Sequence, residues 1–293
     1  MTPQAQGHAC MLLFSVLVAG SFSLGSLVAN EIAPMALTAL RFAIAAAIMG
    51  ALALATGGIP RRTFDAPWRY LILGGLYVIY FVLMFEGLKT APPVSASAVF
   101  TLTPMIAGGI GWLLLRQVTT RRMALALAIG AVGALWVIFR ADWATVRAFD
   151  IGEGEAIFFW GCVAHAAYPP VMRLLGRQEP AAAFTFAVIA AGCLILTVVG
   201  WRDIRATDWA GLRPLVWITI GYVSLFATAG TFLLVRIAAV RLPSAKVMAY
   251  TYLTPSWVIL WEIALGNGAP GGLVLVGVAL TVIALLLLLR NEH

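Results

Sequence analysis

Residues 92–104 read PPVSASAVFTLTP, and residues 243–255 read PSAKVMAYTYLTP. At a spacing of 151 residues Pro92 meets Pro243, and Leu102-Thr103-Pro104 meets Leu253-Thr254-Pro255. A three-residue identity in an apolar chain is weak alone, and its weight comes from what surrounds it. Both stretches continue into similar apolar runs, and those runs stand fourth and ninth in a series of ten. The series lies near 9–29, 34–56, 68–88, 92–115 and 122–139, then 154–175, 182–200, 212–236, 243–265 and 271–289. Each run approaches the roughly 17–25 residues that a helix needs to cross a bilayer. The runs are continuous and do not alternate with period two, which excludes a β-barrel.

Five spans per repeat is an odd number. A second copy joined in tandem therefore enters the membrane in the opposite sense, and a pseudo-two-fold axis in the membrane plane relates the halves. The expected fold is an all-α membrane protein of ten transmembrane helices in two inverted five-helix repeats, over residues 8–140 and 151–290. Two such halves suit alternating access, although an old duplication without motion gives the same pattern.

Composition points the same way. Of 293 residues 62% are hydrophobic and 11% charged, with a mean hydropathy of +0.97, whereas soluble domains carry about 25% charge. The net charge of +7 resides in arginines scattered between apolar runs, so it reports topology and not a nucleic-acid partner. With the N-terminus cytoplasmic, the inner side carries Arg61, Arg62, Arg69, Arg116, Arg121, Arg122, Arg173, Arg177, Arg236, Arg241 and Arg290. The outer side carries Lys89, Arg140, Arg147, Arg202, Arg205 and Arg213. This excess places both termini in the cytoplasm. Cys10, Cys162 and Cys193 lie inside apolar runs without ligand-like spacing, so neither a disulfide framework nor a metal is expected.

Pro104 and Pro255 fall inside their helices, and each loosens the carbonyl four residues earlier, at Phe100 and Thr251. Matched breaks in two halves point to a midplane binding site. Their polar neighbours are Ser97, Thr101 and Thr103 in one half and Tyr250, Thr251, Tyr252 and Thr254 in the other. These hydroxyls either meet a solute or satisfy the loosened backbone. His165 lies near mid-depth of the sixth run, flanked by Trp160 and Tyr168, either as proton carrier or solute partner or as a neutral imidazole bonded to a carbonyl. Tyr77, Tyr80 and Met84 share a helix face, either lining a cavity opposite Trp257 and Trp261 or packing as a core stripe. Arg41 sits roughly 10 Å inside its helix entrance and needs a partner there; pairing with Glu86 or Glu262 would make it an outer gate.

The stretch Pro34-Met-Ala-Leu-Thr-Ala-Leu-Arg41-Phe42 resembles the entry to the second helix of EamA-type proteins of the drug/metabolite transporter superfamily. The Thr-Pro segments and the glycines of each half's last helix (Gly130 and Gly133; Gly277) are similar to theirs as well. The chain departs from that pattern at Val18, where a tryptophan is common. It also departs at Arg116-Gln117 and Gly266-Asn267-Gly268, where a Gly-Glu pair is common. The resemblance implies a carrier of the bacterial inner membrane, often an exporter of amino acids or other small metabolites.

Phosphate-loop, dinucleotide and hydrolase motifs are absent from the sequence, which argues against ATP drive and against a soluble enzyme. A secondary carrier without cofactor is expected, coupled to protons through His165, Glu86 or Glu262 or else passive. An amino acid or similar neutral or zwitterionic solute is the expected cargo, since phosphate would call for several buried cations. Other readings are a membrane-embedded enzyme acting on lipid or isoprenoid head groups, and a non-transporting sensor or assembly subunit.

Overall fold

The computed structural model describes residues 2–117, 120–148, 150–177 and 179–289; Arg290, counted above on the inner side, lies outside the described residues. The helices are α1 (Pro3–Val28), α2 (Pro34–Ala55), α3 (Trp68–Gly87), α4 (Pro93–Phe100), α5 (Thr103–Leu115), α6 (Arg121–Ile138), the short α7 (Trp143–Ala148), α8 (Glu153–Leu175), α9 (Ala181–Val199) and the short α10 (Trp201–Ala206). They continue with α11 (Pro214–Ser224), α12 (Thr231–Ala239), α13 (Ser244–Ala249), α14 (Thr254–Ala264) and α15 (Gly272–Leu289). We call the end of the bundle where α1 starts proximal and the opposite end distal.

Among the described residues, eight helical segments are long and apolar enough to cross a membrane: α1, α2, α3, α4 with α5, α6, α9, α11 with α12, and α15. The two other expected runs are helical as well. One is α8, 23 residues long, in which His165, Tyr168, Pro169 and Pro170 dilute the apolar character. The other is α13 and α14, joined by a 3-10 turn at Tyr250–Leu253. α1 starts six residues before the apolar run because Pro3 opens it and the Thr2 hydroxyl accepts from the Ala5 amide at 3.2 Å.

Packing comes in matched sets. α3 lies on α8 and α9; α1 lies on α12 and α14, and α2 on α9 and α11. α6 pairs with α15, where Gly133 and Gly277 let the backbones touch: a Cβ at Gly133 would stand 2.6 Å from the Gly277 carbonyl oxygen. α4 packs on α14 while α5 packs on α13, so the two proline-broken segments cross antiparallel with their breaks together. There the Thr103 and Thr251 hydroxyls lie 3.1 Å apart. Large apolar side chains such as Leu113, Val198 and Leu286 cover the outside, as suits a surface solvated by lipid.

Candidate functional site

Five spans bring aromatic rings to one place inside the bundle. Tyr77, Tyr80 and Phe81 come from α3, His165 and Tyr168 from α8, Phe100 from the end of α4, Phe232 from α12, and Phe14 from α1. The Tyr80 and His165 rings are 4.4 Å apart, Tyr77 and Tyr168 4.2 Å, and Tyr77 and Phe232 3.6 Å. The Tyr80 hydroxyl and His165 Nδ1 are buried without a hydrogen-bond partner among the described residues. Prolines loosen the backbone nearby, since Pro104 and Pro169 stand four residues after Phe100 and His165. The Thr103 hydroxyl takes the Phe100 carbonyl at 2.8 Å, and in the other half the Thr254 amide takes that of Thr251.

The structure brings Tyr77, Tyr80 and His165 together and distributes the remaining expected site residues elsewhere. Ser97 and Thr101 are buried, but each donates to a carbonyl of its own turn, Val94 and Ala98. Thr254 is buried beside Pro255, and its hydroxyl has no partner among the described residues. Tyr250 bonds His8 at 3.1 Å near the proximal end. Trp257 donates to the Ser15 hydroxyl at 3.1 Å, and with Trp261 it lines a groove on the outside of the bundle, so neither tryptophan faces the tyrosines of α3. Trp160 is 65% exposed; it borders an apolar lateral groove of about 350 Å³ and not the aromatic cluster.

Arg41 does not pair as expected. Glu86 is held by Lys89, in the turn just after α3, at 2.8 Å, and Glu262 accepts from Asn267 at 2.8 Å. The fully buried Arg41 instead donates from Nε to Thr228 Oγ1 at 2.9 Å and from Nη2 to the carbonyls of Ala227 (3.2 Å) and Val223 (3.4 Å). The Ala227 carbonyl belongs to a π-helical turn, Leu225–Gly230, between α11 and α12, and that of Val223 to the last turn of α11 just ahead of it. Such a turn shifts the helical bonding pattern and frees carbonyls for outside donors. The run Phe226-Ala-Thr-Ala-Gly-Thr231, small and polar in mid-span, is the sequence signal for that turn.

Two ion pairs escaped the sequence reading. At the proximal end Arg69, in the first turn of α3, meets Glu179 in the α8–α9 connection at 2.9 Å, and both side chains are almost fully buried. Tyr70 also bonds Glu179, Arg236 donates to the Glu179 carbonyl, and Arg173 ties down the carbonyls of Ala239 and Leu242. At the distal end Arg213, just before α11, forks onto Glu31 in the α1–α2 connection, with Nε to Oε2 at 2.7 Å. Hydrogen bonding from Arg213 lowers the Glu31 carboxyl below its usual range and raises the guanidinium in turn. This second pair is exposed, and Glu31 also lines an open hollow of about 390 Å³ with Ile32, Asp203 and Asp208.

Comparison with known proteins agrees with this architecture. The EamA-like transporter family matches the chain twice, over residues 5–139 and 153–290. The uncharacterized transporter YyaM of Bacillus subtilis (strain 168) is 24% identical over 259 residues, covering 88% of this chain and 85% of its own. A solved crystal structure, 20% identical, shares the fold with a TM-score of 0.73 over 98% of this chain and 97% of its own.

Proposed function

The chain belongs to the EamA-like transporter family, and from that premise we propose a secondary carrier that exports a small organic metabolite by alternating access. In this reading ten spans form two inverted halves, 8–140 and 151–290, in a bacterial inner membrane with both termini cytoplasmic. The observation that carries it is the correspondence of the two ion pairs. Arg69 opens the third span of one half and meets the connection ahead of the other half's second span, at Glu179. Arg213 stands just ahead of the third span of the second half and meets the connection ahead of the first half's second span, at Glu31. The same joint thus occurs twice, at opposite ends, once desolvated and once wet. Exchanging the conformations of the halves exchanges those environments, which closes one end as it opens the other. Arg69–Glu179 and Arg213–Glu31 then replace Arg41, Glu86 and Glu262 as the gates, with Pro104 and Pro255 as the hinges between them.

The cargo of this reading is an amino acid or similar neutral or zwitterionic solute, held among Tyr77, Tyr80 and His165, with His165 carrying a coupled proton. Apolar and aromatic surroundings, with the buried Arg41 beside them, support it. Proteoliposome counterflow across a metabolite panel, with and without a pH gradient, is the test. Counterflow that a gradient accelerates and His165→Ala uncouples is expected; flux indifferent to both removes the proton. No counterflow at all, alongside turnover of a lipid, would favour an enzyme instead.

A further inference from the structure

We infer that Arg41 anchors a carboxylate on the transported molecule, whose apolar body lies against the rings beside it; this deepens the carrier reading above and rests on it.

The guanidinium is fully buried within the membrane-spanning bundle, where an unpaired charge is costly. Among the described residues no buried or half-buried carboxylate meets Arg41: Glu86 pairs with Lys89, Glu179 with Arg69 and Glu155 with Ser95, and Glu262 accepts from Asn267 through Oε2 while its Oε1 has no partner. Neutral donors are enough to cap the carbonyls of Val223 and Ala227, so capping alone gives no reason for a positive charge at this depth. The geometry leaves part of the fork free. Nε and Nη2 are used, but Nη1 is buried with no partner among the described residues. A planar fork with free N–H groups is the side-chain shape that receives a carboxylate.

The surroundings fit the rest of such a molecule. The guanidinium carbon lies 3.8 Å from the centre of the Phe81 ring. The Tyr80 ring follows 4.6 Å from Phe81, and His165 follows Tyr80. Both carry buried polar atoms without partners among the described residues, so unfilled polar groups continue along one aromatic wall from Arg41. No acid stands on that wall among the described residues, so an ammonium group, where the cargo has one, meets ring faces. A route from the distal hollow exists in outline. Ile32 lines that hollow and packs in an apolar cluster with Leu37, Phe85, Val216 and Ile220. The same cluster contains Val223 and Ala227, whose carbonyls hold Arg41.

The test is proteoliposome counterflow of hydrophobic amino acids against their amides and their decarboxylated amines, by the wild type, Arg41→Lys and Arg41→Gln. The wild type should favour the carboxylates by about tenfold or more. Arg41→Gln should erase that preference, with acids falling to the rate at which the same variant moves the amides, and Arg41→Lys should keep part of it. Equal loss for all three classes would mean that Arg41 only braces the π-helical turn, and would overturn the anchor. Should Arg41→Gln fail to insert, the wild type alone decides: amides moved as well as acids overturn the anchor and leave the carrier intact. Movement of none of the compounds by wild type overturns both.

Discussion

At the scale of one residue, the proposed carrier closes its proximal end through Glu179. Burial alone would raise its carboxyl, but the Arg177 amide and Arg69 outweigh that and hold it below the ordinary value of 4.5. A carboxyl lowered in the closed state stabilises that state above its ordinary value, and ceases to as pH falls through the lowered one. Closure is therefore expected to be flat between pH of about 6 and 8, read as thiol labelling of Ala183→Cys, a fully buried position in the first turn of α9. A steep rise of labelling across that window, taken relative to an exposed cysteine at the same pH because the thiolate is the reacting form, would contradict it. Glu179→Gln leaves Arg69 buried without its anion, a loss of about 3–5 kcal/mol for such pairs, so labelling should rise at every pH. The depth of Arg41 was legible in the sequence, but its partners were not. Sequence reading offered the carboxylates nearest in depth, whereas the donors are taken by backbone carbonyls, which every residue has and no letter marks. The gates were hidden for another reason. The spacing of 151 aligns the fourth and ninth spans, but α3 and α11 start at Trp68 and Pro214, so unequal connections conceal their match.

At the scale of elements, the α6–α15 contact sets how closely the last spans of the two halves approach. Gly133→Ala places a Cβ 2.6 Å from a backbone oxygen, which no side-chain rotation relieves. The helices must separate, at a loss of about 1–3 kcal/mol. Gly109→Ala in α5, whose Cβ would meet nothing within 4 Å, is the matched control and should hold or slightly gain stability. Thermal unfolding in detergent distinguishes them, and equal melting temperatures for the two variants would refute the close-contact account. The glycines of these helices were readable from sequence, as were the positions of the apolar runs. The interruptions were readable only where proline marks them: α4 and α5 part at Thr101 and Leu102, α13 and α14 at Tyr250–Leu253. The π-helical turn has no proline, and α8 runs through Pro169 and Pro170 without a break because the bundle holds it on several sides.

At the scale of the molecule, two halves pack through matched contacts and carry one joint in two environments. In this structure the proximal joint is dry and braced by Arg173 and Arg236, while the distal joint borders the open hollow beside Glu31. The most direct test of exchange between the two states uses paired thiol reporters, Ala183→Cys near the proximal end and Ala36→Cys near the distal end. Both alanines are third residues of their helices and fully buried, and Cys10, Cys162 and Cys193 would first be replaced by alanine. The account predicts opposite shifts: Glu179→Gln raises labelling at Ala183→Cys and lowers it at Ala36→Cys, Glu31→Gln does the reverse, and exchanging Arg69 with Glu179 restores the wild-type pattern. Labelling that rises at both ends together, or that follows neither substitution, would contradict alternating access through these two joints.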